Sequence, residues 1–231
     1  MILYMKKLFL LLAAIVFAVS ANAQMMRAEE LEKYAKEKYG DKWVEAAENI
    51  KTQVSLDKNN SLVYTQVVEC PGKSKEELYV LLNYWYTNTF NDANSVIKLN
   101  DKELGCIIGQ GFIEGIAAHS GGMNTYYVNL KPIIKTDIKE GKVRITYSVT
   151  AYDIDKKAGG GFLGVAMTGR PGEHVDETWA LEECFPFAEK DKHKKTSAKA
   201  LVMAHAFSNV MMDKIEEAVK NGVNGNEGDD W

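Results

Sequence analysis

The sequence predicts an α+β fold: a curved antiparallel sheet covered on one face by helices. Three observations predict it. Residues 143–154 alternate, with Val143, Ile145, Tyr147, Val149 and Ala151 on one side and Arg144, Thr146, Ser148 and Thr150 on the other. That is the pattern of an antiparallel strand with one buried face. Leu78, Leu81, Leu82, Trp85 and Thr89, widened by Tyr79, Tyr86 and Phe90, make a helical arc so broad that it must lie on a sheet. Strand-like runs also outnumber helical ones, in the order strand, helix, four strands, helix.

The elements follow in order. Lys6 and Lys7 precede an apolar run of twelve residues, Leu8 to Val19, and Ala21-Asn22-Ala23 is a small-x-small cleavage signal. Residues 1–23 read as a signal peptide, with Gln24 as the mature N-terminus. The run falls short of the roughly 20 apolar residues that a membrane-crossing helix needs. Position 24 is not cysteine, which argues against a lipid anchor. The expected location is the periplasm or the extracellular space, soluble after cleavage and without a membrane span.

Residues 24–57 read as an N-terminal helical extension, two short helices parted by Gly40, with too few apolar residues for a core of their own. Residues 58–222 form the main domain. Leu62 to Glu69 is its first strand, stopped by Pro71-Gly72. Ser74 and Glu77 fit a capping box at the start of the broad-arc helix. Four strands follow: Ser95–Leu99, Leu104–Ile113, Asn124–Leu130 continued past Pro132 to Ile138 as a bent edge, and Val143–Ile154. Gly109 and Gly111 suggest a bulge, an edge or room for an aromatic ring. Residues 155–195, with Gly159, Gly160, Gly161, Gly164, Gly169 and Gly172, have no sustained period and read as a long excursion. The final helix starts at Thr196 or Ser197. It buries Leu201, Ala204, Phe207, Met211, Ile215 and Ala218, turns Asn209, Asp213, Glu216 and Glu217 outward, and stops at Gly222. Residues 223–231 are an acidic tail.

This order resembles the TATA-binding-protein-like (TBP-like) fold. The stretches VYTQVVECPGKSKEELYVLLNYWYTNTF, SVIKLNDKELGCIIGQG and GKVRITYSVTAYDI resemble an uncharacterised Bacteroides-type family, domain of unknown function number 4468, most clearly over residues 61–154. The resemblance implies that fold and a curved sheet. It brings no activity and no catalytic residue, because fold does not imply function.

The formal net charge is −4, and loss of Lys6 and Lys7 makes the mature chain two charges more negative. Nucleic-acid binders concentrate positive charge, and the outward side of the clearest strand offers only Arg144. No nucleic-acid partner is expected. Cys70, Cys106 and Cys184 lie in no CxxC, and they read as buried thiols; a catalytic thiol would need a base and a lowered pKa.

Local signals for chemistry are weak. Gly109-Gln110-Gly111-Phe112 lacks the third glycine and following helix of a dinucleotide site. His119-Ser120-Gly121-Gly122 has no nucleophile elbow and reads as a hairpin loop. His174, Asp176 and Glu177 could hold a metal if His193 and Cys184 folded back to them, but they lack zinc-site spacing. Asp153, Asp155 and Asp101 read as turn-forming acids rather than an acid–base pair. His205 reads as a satisfied boundary histidine. Tyr79 and Trp85 fit the core, while Tyr84 falls on the opposite side of the helix and reads as an ordinary exposed aromatic, the alternative being a contact surface for sugar, peptide or the N-terminal helices. No catalytic, cofactor-binding or metal residue is assigned, and no cofactor is expected. The sequence supports a non-catalytic binding or structural module whose partner is an envelope protein or a small ligand. The alternatives are a small-molecule or lipid carrier, with its pocket between sheet and C-terminal helix, and an unrecognised hydrolase.

Overall fold

The structure, a computed structural model, describes residues 27–90 and 96–222. The expected signal peptide, the acidic tail and Ser95 lie outside the described residues.

Two helices, α1 (Ala28–Tyr39) and α2 (Trp43–Lys51), precede β1 (Leu62–Glu69) and α3 (Lys75–Thr89). The Ser74 hydroxyl accepts from Glu77 N–H at 3.1 Å, satisfying an otherwise orphaned amide at the start of α3. Glu77 instead takes Lys73 Nζ at 3.1 Å, and Glu140, from a distant turn, accepts from Lys75 N–H at 3.0 Å.

Seven strands run through the middle of the chain: β2 (Ile97–Asp101), β3 (Cys106–Gln110), β4 (Ile113–Ser120), β5 (Thr125–Leu130), β6 (Ile133–Lys139), β7 (Lys142–Val149) and β8 (Ala151–Ala158). They build two sheets. The five-stranded sheet has the order β1-β7-β6-β3-β2, and the four-stranded sheet has β4-β5-β8-β9, where β9 is Glu173–Ala180. All pairings are antiparallel.

The expected long strands are continuous but cornered. Leu104–Ile113 breaks between Gln110 and Ile113, Asn124–Ile138 breaks at Lys131-Pro132, and Val143–Ile154 breaks at Thr150, so each ribbon passes from one sheet to the other. Gly111 N–H donates to Pro132 O at 2.9 Å across the corner. The burial phase slips there too: Val143, Ile145, Tyr147 and Val149 are buried, then Tyr152 and Ile154, so Ala151 leaves the row the alternation gave it. The bent edge expected around Ile138 is a second correction. β6 lies in the middle of its sheet, between β7 and β3. Pro132 sits at the corner, outside the ladder, and therefore costs no sheet hydrogen bond.

The glycine-rich stretch is a hairpin with a short helical insert rather than a structureless excursion. β8 and β9 pair from Ala151↔Ala180 to Ala158↔Glu173, and α4 (Phe162–Thr168) fills the connection. Glycine is required there by close approach. A Cβ on Gly161 would meet the Gly121 carbonyl oxygen at 2.3 Å, while Gly161 N–H donates to Met123 O at 2.9 Å.

The last helix, α5 (Lys194–Asn221), begins two residues before the expected start and ends at Gly222. It touches α3, β1 and β7, and also β4, α1 and α2. Its first turns are therefore buried on nearly every side, from Thr196 to Ser208 apart from Lys199. Asn209, expected to face outward, donates to Tyr39 Oη at 2.7 Å. Leu31, Ala35, Ala47 and Ile50 of the N-terminal helices share the core of the sheet and α5.

Candidate functional site

Four rings from four elements meet where the inner side of the four-stranded sheet reaches the start of α5. His119 (β4), Tyr126 (β5) and Lys156 (β8) are cross-strand neighbours in one row. Trp179 comes from β9 and shares the inner side because side chains alternate along a strand. His193 is the residue that caps α5. Trp179 and His193 stack with centroids 4.7 Å apart and planes at 9°. Tyr126 lies 4.8 Å from His193, and His119 lies 5.6 Å from it. His119 is exposed; the other three rings are half-buried.

An open cleft of about 470 Å³ lies beside these rings, lined among others by Trp179, Glu182, Cys184, Lys190, Asp191 and His193. The Asp191 carboxylate accepts from His193 N–H at 2.6 Å and Phe185 N–H at 2.9 Å. It is an Asx-type clamp that fixes the wall and orders the helix start. Glu177 receives Lys156 Nζ at 2.6 Å, and the same ammonium lies 5.7 Å over the Tyr126 ring. Burial pushes the Cys184 thiol up to about 12, so it carries no thiolate at neutral pH. Burial likewise holds His193 below the usual histidine range, against the opposing pull of Asp191, and its Nδ1 is buried without a hydrogen-bond partner among the described residues. The site thus presents flat rings and fixed dipoles, with Asp191 and Glu177 committed to protein partners. That arrangement suits binding a flat or ring-bearing group better than moving protons.

The register separates the metal candidates. His174 and Asp176 point to one face of β9 and Glu177 to the other. His174 Nδ1 lies 2.9 Å from Asp155 Oδ1 on the outer side, away from His193 and Cys184. Among the described residues no three His, Cys, Asp or Glu side chains gather as a metal site. Asp153 pairs with Lys131 at 2.9 Å, and Asp101 caps its own turn by accepting from Leu104 N–H at 2.8 Å. Gly109 gives room to Tyr86, whose ring a Cβ would meet at 2.6 Å. His119 and Ser120 end β4 rather than lying in the loop. His205 is buried, with Nδ1 2.9 Å from Tyr64 Oη, and Tyr84 is exposed on α3. Cys70, Cys106 and Cys184 are buried and unpaired. On the outer side of the five-stranded sheet, Arg144 and Lys135 both pair with Asp137, at 2.7 and 2.8 Å.

The ring cluster was not legible as a site. Its members lie far apart in sequence, and no spacing joins them. The two signals were Trp179 in an otherwise polar run and His119 ending a strand.

A small α+β domain with a bent antiparallel sheet and a helix across it defines a class, and comparison places it. Residues 64–153 match a family described as a domain of unknown function (DUF4468) with TBP-like fold. The family resemblance read from the sequence holds over this segment, and the fold is TBP-like. Two solved structures are similar to the chain. One is a TBP-like protein from Parabacteroides distasonis ATCC 8503, 14% identical with a TM-score of 0.48, covering 71% of this chain and 95% of that one. The other is a DUF4468 family protein from Bacteroides ovatus ATCC 8483, 15% identical with a TM-score of 0.42, covering 69% and 88%. No curated protein matches the chain.

Proposed function

We propose that the protein is an exported, non-catalytic binding module of the cell envelope, and that a small ligand or an envelope partner docks a flat group against Trp179 and His193. The stacked Trp179–His193 pair, which lines an open cleft and is backed by the Tyr126 ring, carries this reading. The space beneath α5 is filled by Leu201, Ala204, Met211 and Ile215, all fully buried, which disfavours a carrier pocket there. The high pKa of Cys184 and the tied carboxylates disfavour a hydrolase. Export rests on the leader, and among the described residues no helix is long and apolar enough to cross a membrane. N-terminal sequencing of the exported protein should begin at Gln24. Mass spectrometry of copurifying compounds, on the mature protein and on Trp179→Ala, tests the site. The variant should retain its fold and lose the bound compound. Equal recovery from both proteins would move the site elsewhere.

A further inference from the structure

The far end of the four-stranded sheet carries apolar surface that the fold does not use. The β8–β9 connection and the β4–β5 turn meet there. Of the seven residues of α4, only Gly164 is buried. Phe162, Leu163, Val165 and Met167 are 81, 51, 40 and 78% exposed, and Met123 of the adjoining turn is 50% exposed. The helix is held from behind by backbone. Leu163 N–H and Gly164 N–H both donate to Gly122 O, at 2.7 and 3.2 Å, and a Cβ on Gly164 would run into the Gly159 carbonyl. Successive helical residues are turned by about 100°. Phe162, Leu163, Val165, Ala166 and Met167 therefore cover more than half of the circumference, on the side opposite Gly164. A surface helix ordinarily spends its apolar side on the core. This one turns it outward, and exposed patches of that kind mark interaction sites.

We propose that this tip docks on a membrane, with α4 and Met123 dipping into the interface of a phospholipid bilayer. Shape, length and charge select lipid. The apolar ridge is exposed on several sides at once; fluid acyl chains surround such a ridge, whereas a protein would need a groove cut to match it. A helix of seven residues is ~10 Å long, comparable to the roughly 5–10 Å depth that interfacial helices reach. Residues 120–130 and 158–169 hold no charged side chain. The first charges on either side of α4 are Lys157 and Arg170, both cations and neither ion-paired among the described residues. Lys157 Nζ lies 5.2 Å over the exposed Tyr127 ring, a cation and an aromatic placed as the headgroup level favours. The acids of the hairpin stand behind them. Glu173 and Asp176 lie on β9, Asp155 is tied to His174, and Glu177 to Lys156. Lys157 and Arg170 thus face lipid phosphates when the ridge is immersed. The Trp179 cleft lies towards the opposite end of the same hairpin, since Tyr152 pairs with Trp179 and Ala158 with Glu173, so the two sites can fail separately.

Flotation of the mature chain with vesicles of phosphatidylethanolamine and phosphatidylglycerol tests the proposal. The protein should rise with the vesicles. Phe162→Glu combined with Met167→Glu leaves the fold intact, because both side chains are exposed, and should weaken binding by about tenfold or more. Lys157→Gln combined with Arg170→Gln should weaken it by about tenfold. Cys70, Cys106 and Cys184 are buried, so an environment-sensitive fluorophore can be placed on Met167→Cys alone. Its emission should shift to the blue on vesicles, while the same label on Val80→Cys, at an exposed position of α3, should not shift. A mature chain that stays in the aqueous fraction overturns the proposal. So does flotation unchanged by the Phe162→Glu and Met167→Glu pair, or an equal shift at the two labelled positions. Self-association in solution that the same pair abolishes, without flotation, gives the ridge to a second copy and overturns it equally.

Discussion

Trp85 and Trp179 each pack against two other rings, yet their surroundings differ. Trp85 is 4% exposed, packed edge-on to Tyr86 and Phe90 with centroids 4.9 and 6.0 Å away. The neighbouring polar group is satisfied, because Tyr86 Oη donates to Ile134 O at 3.0 Å. Trp179 is half-buried, its ring neighbours are His193 and Tyr126, and an open cleft runs beside it. A closed, satisfied cluster has stability as its output. An open cluster with unspent ring surface has binding as its output. The comparison predicts opposite phenotypes for the same substitution.

The largest effect should separate the two tryptophans directly. Trp85→Ala removes a buried ring between α3 and the sheet and should cost ~3–5 kcal/mol of unfolding free energy. Trp179→Ala removes a partly wetted ring and should cost ~1–2 kcal/mol, scaled by its smaller buried area. Denaturant titration of both variants measures the pair. Equal losses would make the open cluster part of the core, and a loss below about 1 kcal/mol at Trp85 would make that ring a surface contact.

How much of this contrast the sequence showed depends on the range of the interaction. The α3 cluster was legible because Leu78, Leu82, Trp85 and Tyr86 recur at three- and four-residue steps, a period set by the helix itself. The β7 alternation was legible for the same reason. The corners were not, since a strand that turns between sheets keeps its β-propensity. The one local trace is the slip in burial from Val149 to Tyr152. β9 was missed because an edge strand wetted on most positions has no apolar alternation to read. The open cluster was missed because tertiary pairing, not spacing, brings His119 to His193.

The next effect sharpens a second contrast, between His205 in the core and His193 at the cleft. Burial lowers His205 to about 4, and Lys38 adds to the shift. Its unfolded value is about 6.5. The folded state therefore binds fewer protons, and this residue's contribution to stability is complete above about pH 6.5 and is lost as pH falls towards about 4. The full difference is ~3 kcal/mol by linkage. Unfolding free energies measured across that window should fall steeply in the parent and less steeply in His205→Gln. His193→Gln should remove a smaller part of the slope, because His193 is less buried. Identical slopes in parent and His205→Gln would show that His205 is not the group that titrates.

The smallest effect concerns the β8–β9 connection. Its apolar residues face outward: Phe162 is 81% exposed and Met167 78%. Its hold on the β4–β5 turn comes from backbone bonds such as Leu163 N–H to Gly122 O at 2.7 Å. Exposed backbone bonds contribute little net stability, whereas ordering a glycine-rich stretch costs conformational entropy. Ala158 and Glu173 are already paired across the two strands, so an Asn-Gly turn can replace residues 159–172 and close the hairpin in the same register. Stability should change by less than ~1 kcal/mol, and amide exchange in the parent should be faster across 159–172 than across Val143–Val149. A loss of several kcal/mol, or matching protection in the two segments, would make the connection integral to the fold. A preserved fold with altered ligand release from the Trp179 cleft would instead give α4 the role of a cover over the open cluster.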